Sequence, residues 1–406
     1  MKNIQKFVIR FIVLICITLS NYFGTGHGEA VFNVLDYGAV GDGIQDDSQA
    51  FLKAWGAVCG QGESSATLVI PAGKTFLLQP IDLAGPCQTN SPHVQVLGKM
   101  VAPADPNVWE KCGGFWLSFL SIQNLIMDGS GEIDGQGSSW WNGKQTKCQR
   151  PIAVQFNKCN NLQLSGLTLL NPPNAHIQIF GTNSAYLANL HLNAPEDSPN
   201  TDGIKIGAST YVQIHDSVIA TGDDCIALLN GTNYINITNI ACGPGHGISV
   251  GSLGGNGDYS VVEGVRVYNC SFNGTTNGAR IKTYQGGRGY VRKIHFDKIT
   301  LIAAQNPIII DQNYNAHGNS NINQETSLEV SDVTYSGFEG TSADEQAITI
   351  ACSASPGCLN ITMYGNKITS SAPGKDVFAS CNNAKGTSID TVPIVPCLSS
   401  NSNVQL

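Results

Sequence analysis

A chain of 406 residues with 13% charged residues and a formal net charge of −8 is long enough for one large domain or two. Its overall acidity excludes nucleic acid and anionic membranes as partners held by the protein's net field, so attraction for an anionic ligand has to be local. Only one apolar run stands out, Phe11 to Leu19, too short to span a bilayer comfortably.

That run follows Lys2, Lys6 and Arg10 and precedes small and polar residues, the pattern of a cleavable secretory leader. Residues 1–30 are therefore set apart, and residues 31–406 are expected to form one exported domain. Without the leader the net charge is about −10. Twelve of the 13 cysteines remain, an even number that favours disulfides over metal ligation in an oxidising compartment. Cys225 with Cys242, Cys352 with Cys358 and Cys381 with Cys397 are plausible bridges. Sequons at Asn230, Asn236, Asn269, Asn273 and Asn360 fit the same route.

After a short strand at Val31–Val34 comes the turn-rich segment Gly38 to Gly43. Asp46 or Asp47 then caps a predicted helix from Ser48 to Val58, with Ala50, Phe51, Ala54, Trp55 and Val58 along one face. Gly38-x-x-Gly41-x-Gly43 lacks the strand–turn–helix context of a phosphate loop. The helix is the candidate cap over the first coil of a solenoid. Beyond it a template of apolar-x-apolar-x-x-apolar-x-apolar recurs: Leu120, Ile122, Leu125, Met127; Leu162, Leu164, Leu167, Leu169; Val212, Ile214, Ser217, Ile219; Ile235, Ile237, Ile240, Cys242; and onward to Leu328, Val330, Val333, Tyr335, with a weaker copy at Leu359, Ile361, Tyr364. Alternation in each half predicts half-buried strands, and the two-residue break predicts a corner. The same template repeating in the same chain direction predicts parallel stacking, not hairpins. The expected fold is all-β, a single-stranded right-handed parallel β-helix with a short N-terminal capping helix.

Within the repeat lie four polar motifs: Asn200-Thr201-Asp202, Gly222-Asp223-Asp224, Gly245-His246-Gly247 and Arg280-Ile281-Lys282. Asp202, Asp224 and His246 are separated by 22 positions each time, and each precedes a strand of the same kind. If one coil is one repeat, equivalent positions stack about 4.8 Å apart, and three carboxylates and a histidine share a wall. Any one Asp alone reads as a corner residue, His246 alone as a structural histidine, and Arg280 with Lys282 alone as a solvated basic pair. Together they read as an acid/base site: carboxylates with split pKa values for glycosidic cleavage, and a basic clamp for a sugar carboxylate. Strict alternation would send Asp202 and Asp224 inward, so they must sit where a corner breaks the phase.

The quartet resembles the signature of the polygalacturonases, glycoside hydrolase family 28, and of their plant members in particular, with similarity running from about Val31 to the C-terminal cysteines. The resemblance implies a right-handed parallel β-helix and inverting hydrolysis of α-1,4-galacturonan in pectin, without metal or cofactor, by an extracellular enzyme of the cell wall. It implies Asp223 as general acid, Asp202 and Asp224 as activators of water, and His246 as support for the acid. Arg280, Lys282 and Tyr314 would bind galacturonate, and Asn200, at the head of the first motif, would also contact substrate. Many plant members follow that tyrosine with a cysteine, where this chain has Asn315, which puts a local brace in doubt. Lys205 stands where a histidine is more usual; alternation with Ile204 and Ile206 faces it outward, as a further carboxylate contact or simply a solvated lysine. Inversion would set the acid about 6.5–9.5 Å from the water-activating carboxylates. A monomer is expected, endo action is favoured over exo, and the rivals are a calcium-dependent pectate lyase and a catalytically silent pectin-binding solenoid.

Overall fold

The computed structural model describes residues 30–62, 65–109, 112–142, 148–315 and 326–399; the expected leader lies outside them. Helix Ser48–Cys59 is the cap: Ala50, Phe51, Ala54, Trp55 and Val58 are buried as its pattern requires. Phe51 meets Phe76 edge-on, and Trp55 donates to the Ala84 carbonyl and packs on Phe119. The carboxylate ahead of it works differently from a simple cap. Asp47 accepts hydrogen bonds from the Val40 and Gly41 amides, while Asp46 accepts from Ser48. The N–H groups that a phosphate would need in the glycine-rich turn are thus already taken.

Beyond the cap, every strand pairing is parallel. An 11-stranded sheet is built one strand per coil from Ile81–Ala84 to Phe378–Asn382, and the other walls form a connected 20-stranded ladder. This is the right-handed parallel β-helix that the repeat predicts. Val212, Ile235, Val265, Ile294, Val333 and Ile361 stand in one inward column, all buried. The two-residue break in the template is a left-handed corner. Asp216, Asn239 and Asn269 adopt φ of 50°, 56° and 52°, a region that Asn and Asp tolerate better than most residues. Their side chains form a ladder: Asn269 donates to Asn239 and Asn239 to Asp216, each at 2.7 Å.

The template slips at both ends. Leu120 closes a strand of the 11-stranded sheet and is only half-buried. In the last copy the inward positions are Cys358, Ile361 and Met363, with Leu359 half-buried and Tyr364 49% exposed. There Met363 pairs with Tyr335 and Tyr364 with Ser336. All three expected disulfides form, with Cys59–Cys87 and Cys112–Cys148 besides. The even count does not pair completely: Cys159 and Cys270 are free thiols inside the core, holding backbone carbonyls of Phe119 and Tyr268. Each takes an apolar position, and burial pushes both thiols up, to about 11 and about 12.

Candidate active site

The outward side of the 11-stranded sheet, with the turns that lead into its strands, carries the motifs. Ile204, Ile226, Ile248 and Ala279 pair in register, so Asp202, Asp224 and His246, each two residues upstream of its Ile, occupy equivalent places in successive coils. Backbone bonding continues through the motifs: Gly203 donates to the Asp224 carbonyl, Cys225 to Gly247 and His246 to Asp223. The corner that breaks strand phase is packed tightly. Gly222 passes so close to Ser198 that a Cβ would fall 2.0 Å from its carbonyl oxygen. Thr201, fully buried, is a brace: its hydroxyl meets those of Ser198 and Thr221 and accepts from the Gly222 amide. It locks the Asp202 loop to the Asp223–Asp224 loop.

The carboxylates differ in surroundings. Asp224 is buried, and both of its oxygens are held. Oδ1 accepts from Ser249 Oγ at 2.7 Å with Arg280 Nη2 at 3.7 Å, and Oδ2 accepts from Lys282 Nζ at 2.7 Å. Asp223 is 17% exposed and accepts from its neighbour's amide at 2.8 Å, from the Asn200 amide at 3.1 Å and from His246 Nδ1 at 3.1 Å. Asp202 is buried, with the Lys205 ammonium 2.9 Å from Oδ1. One oxygen each of Asp223 and Asp224 and a ring nitrogen of His246 lie within 4.8 Å of one another. Asp223 and Asp224 come this close at their nearest oxygens because they are consecutive residues on one tight turn. No ion is needed to explain the cluster, since Lys282, Arg280 and Ser249 already occupy Asp224.

Protonation follows from these contacts. Burial, and then the charges of Asp223 and Asp224, push the Asp202 carboxyl up to about 7 against the opposing pull of Lys205. Burial also works against ionisation of Asp223, but the hydrogen bond and charge of His246, with Lys282, outweigh it and hold that carboxyl well below the usual range. In the ligand-free arrangement the surroundings thus favour the protonated form of Asp202 and the ionised form of Asp223.

The basic pair faces the groove as alternation predicts: Ile281 is buried inward, while Arg280 and Lys282 lie outward beside Tyr314, 5.8 and 5.5 Å from its ring. Tyr284 packs edge-on against Tyr314 at 5.3 Å. Arg280 Nε is buried and makes no hydrogen bond among the described residues. Lys205 points outward too, but it is not simply solvated; it pairs with Asp202 and donates to Asn174 at 3.4 Å. Sequence reasoning missed Arg150, Asn174, His176 and Ser249, none of which lies in a motif. His176 is fully buried, its Nδ1 donating to the Asp202 carbonyl, and burial lowers it to about 4.

Residues 59–392 match the family described as Glycosyl hydrolases family 28. The chain belongs to that family. It is 51% identical over 370 residues to a probable polygalacturonase of Arabidopsis thaliana, covering 90% of this chain and 80% of that one. Among solved structures it is similar to an endo-xylogalacturonan hydrolase from Aspergillus tubingensis, with TM-score 0.75, 28% identity and coverage of 87% of this chain and 96% of the other. It is also similar to a polygalacturonase from Erwinia carotovora, with TM-score 0.68, 25% identity and coverage of 88% and 96%. As a family 28 member the chain is a glycoside hydrolase.

Proposed function

We propose that this family 28 enzyme hydrolyses α-1,4-galacturonosyl linkages of polygalacturonate, with Asp223 donating the proton to the leaving oxygen and Asp202 and Asp224 activating water. The observation that carries the reading is the convergence of three carboxylates and His246 beside Arg280, Lys282 and Tyr314 on one face, in a protein whose overall charge is negative. The cationic wall supplies the local attraction for a polyanion that the net charge cannot. A galacturonate carboxylate on Arg280 and Lys282 would neutralise part of the positive charge that keeps Asp223 ionised, and so draw the proton towards it. The short Asp223–Asp224 approach by itself would suit a retaining route, so the anomer released first, followed by proton NMR, tests inversion. The β-anomer is expected first; the α-anomer would overturn single displacement.

Raised affinity of Asp202 for a proton favours a second reading in which Asp202 is the acid and Asp223 activates water. Loss of the general acid is masked when the leaving group needs no protonation. An aryl galacturonide should therefore be cleaved by Asp223→Asn far better than by Asp202→Asn; the opposite order supports the second reading. On polygalacturonate, wild type should release reducing ends and Asp223→Asn should not, whereas equal rates would retire the assignment. Activity that survives a chelator without unsaturated products sets aside the lyase. A ladder of oligomers, expected here, means endo attack; monomer alone means exo. The working unit is one exported chain, since one chain supplies the whole signature, and its five disulfides suit an oxidising exterior.

A further inference from the structure

Arg150 lies outside every motif, just beyond the Cys112–Cys148 bridge and ahead of strand Ile152–Asn157. Its half-buried guanidinium crosses to the Asn200 loop, where Nη1 donates to the Pro199 carbonyl and Nη2 to Asn200 Oδ1, each at 2.5 Å. Asn200 is otherwise exposed and sits at a φ of 57°. Its amide has two unlike ends. With Oδ1 on the guanidinium, Nδ2 faces Asp223 Oδ2 at 3.1 Å. Rotating the amide by half a turn would set NH2 against guanidinium donors and oxygen against carboxylate, two repulsive contacts in place of two hydrogen bonds. A bidentate, permanently charged donor is suited to fixing such a choice, where a lysine ammonium would act as a single point. The same segment reaches the other carboxylate more loosely: the Arg150 carbonyl accepts from Asn174 Nδ2 at 3.5 Å, and Asn174 Oδ1 accepts from Lys205, the partner of Asp202.

We propose that Arg150 is a positioning residue for Asp223, holding the Asn200 amide so that its NH2 group, not its oxygen, faces the carboxylate from which the proton is to be delivered. The inference rests on the hydrolytic reading of the site. It gives the first motif's asparagine a role distinct from gripping sugar: Asn200 steers the catalytic carboxylate, and Arg150 steers Asn200.

The test compares Arg150→Met, Arg150→Lys, Asn200→Ala and the double variant Asn200→Ala/Arg150→Met on polygalacturonate. Misorientation of a catalytic group by an outlying substitution costs up to about a hundredfold in rate. Arg150→Met should therefore lose about tenfold to a hundredfold in kcat with KM changed less than about twofold, and Arg150→Lys should fall between it and wild type. Millimolar guanidinium chloride should restore kcat several-fold in Arg150→Met, but not in wild type or the double variant. The double variant should be no slower than Asn200→Ala, because both substitutions break one chain of contacts. Unchanged kcat, a rise in KM alone, or additive losses would overturn the inference; a KM effect alone would make Arg150 a substrate contact. Failure of wild type to release reducing ends would instead sink the hydrolytic reading. A crystal structure of Arg150→Met then still decides the contact: an Asn200 amide turned from Asp223 supports the proposal, and an unmoved one refutes it.

Discussion

Lys205 and Asp202 show how one side chain acquires a role from its partner. Outward alternation on strand Ile204–Gly207 left Lys205 free to serve a subsite, but its ammonium lies 2.9 Å from Asp202, the most proton-avid carboxyl of the cluster. Any sugar carboxylate would have to compete for it. Lys205 is among the influences that keep the Asp202 carboxyl from rising further. In Lys205→Met the acidic limb of the kcat/KM profile should move to higher pH by about a unit or more, if Asp202 must ionise to activate water. A profile that does not move, measured by reducing-end release across pH 3–8, would show that Asp202 ionisation does not limit the reaction. Asp202 also burdens stability. Its folded-state value, about 7, lies above the unfolded 3.8, so its protonation favours the folded state. That contribution is complete below about pH 3.8 and is lost as pH rises to about 7. Asp202→Asn cannot ionise, so its melting temperature should exceed that of wild type by a margin that widens between pH 4 and pH 7. A constant margin would refute the assignment of a raised carboxyl.

The corner that carries the carboxylates depends on small clearances between successive coils. Gly222 admits the Ser198 carbonyl where a Cβ would stand 2.0 Å from it, so Gly222→Ala must push the Asp202 and Asp223 loops apart. Overpacking of this kind costs about 1–3 kcal/mol, and the kcat loss should exceed what the stability loss explains, because the same displacement separates the carboxylates. Denaturant midpoint and kcat measured side by side check this. Removing the Thr201 hydroxyl in Thr201→Val leaves the Gly222 amide and the Ser198 and Thr221 hydroxyls short of a buried partner. A loss of about 1–3 kcal/mol is expected, with the arrangement of Arg280 and Lys282 unchanged. Thr201 stands between two site residues in its motif without being one. Its buried brace explains why a threonine is needed there.

Across the whole molecule each coil packs on its neighbours in sequence order, so stability is distributed along the axis and local damage remains local. Ile237, fully buried between Ile214 and Val267 in the ladder, lies on another wall from the carboxylates. Ile237→Ala should cost about 2–5 kcal/mol and lower the thermal midpoint, while kcat at 25 °C changes little. A large kcat loss with an unchanged midpoint would mean that the walls are coupled more tightly than a stacked solenoid allows.

Period, direction and corner position were legible in the sequence, because burial alternates with a strict period of two and a left-handed corner favours Asn, Asp and Gly. That was enough to stack Asp202, Asp224 and His246 and to turn Arg280 and Lys282 to the groove. Register at the ends was not legible: Met363 and Tyr364 both suit a strand, and only pairing with Tyr335 and Ser336 chooses between them. Nor was the complete pairing of cysteines: three bridges were readable, but Cys159 and Cys270 stay buried as free thiols. The tertiary structure alone set Asp202 and Asp223 apart in their affinity for a proton, because burial and neighbouring charge act on them differently, and it alone brought Arg150 to Asn200 across 50 positions. Such contacts form between coils at the loops, where no periodicity constrains the chain, so their partners are written only in three dimensions.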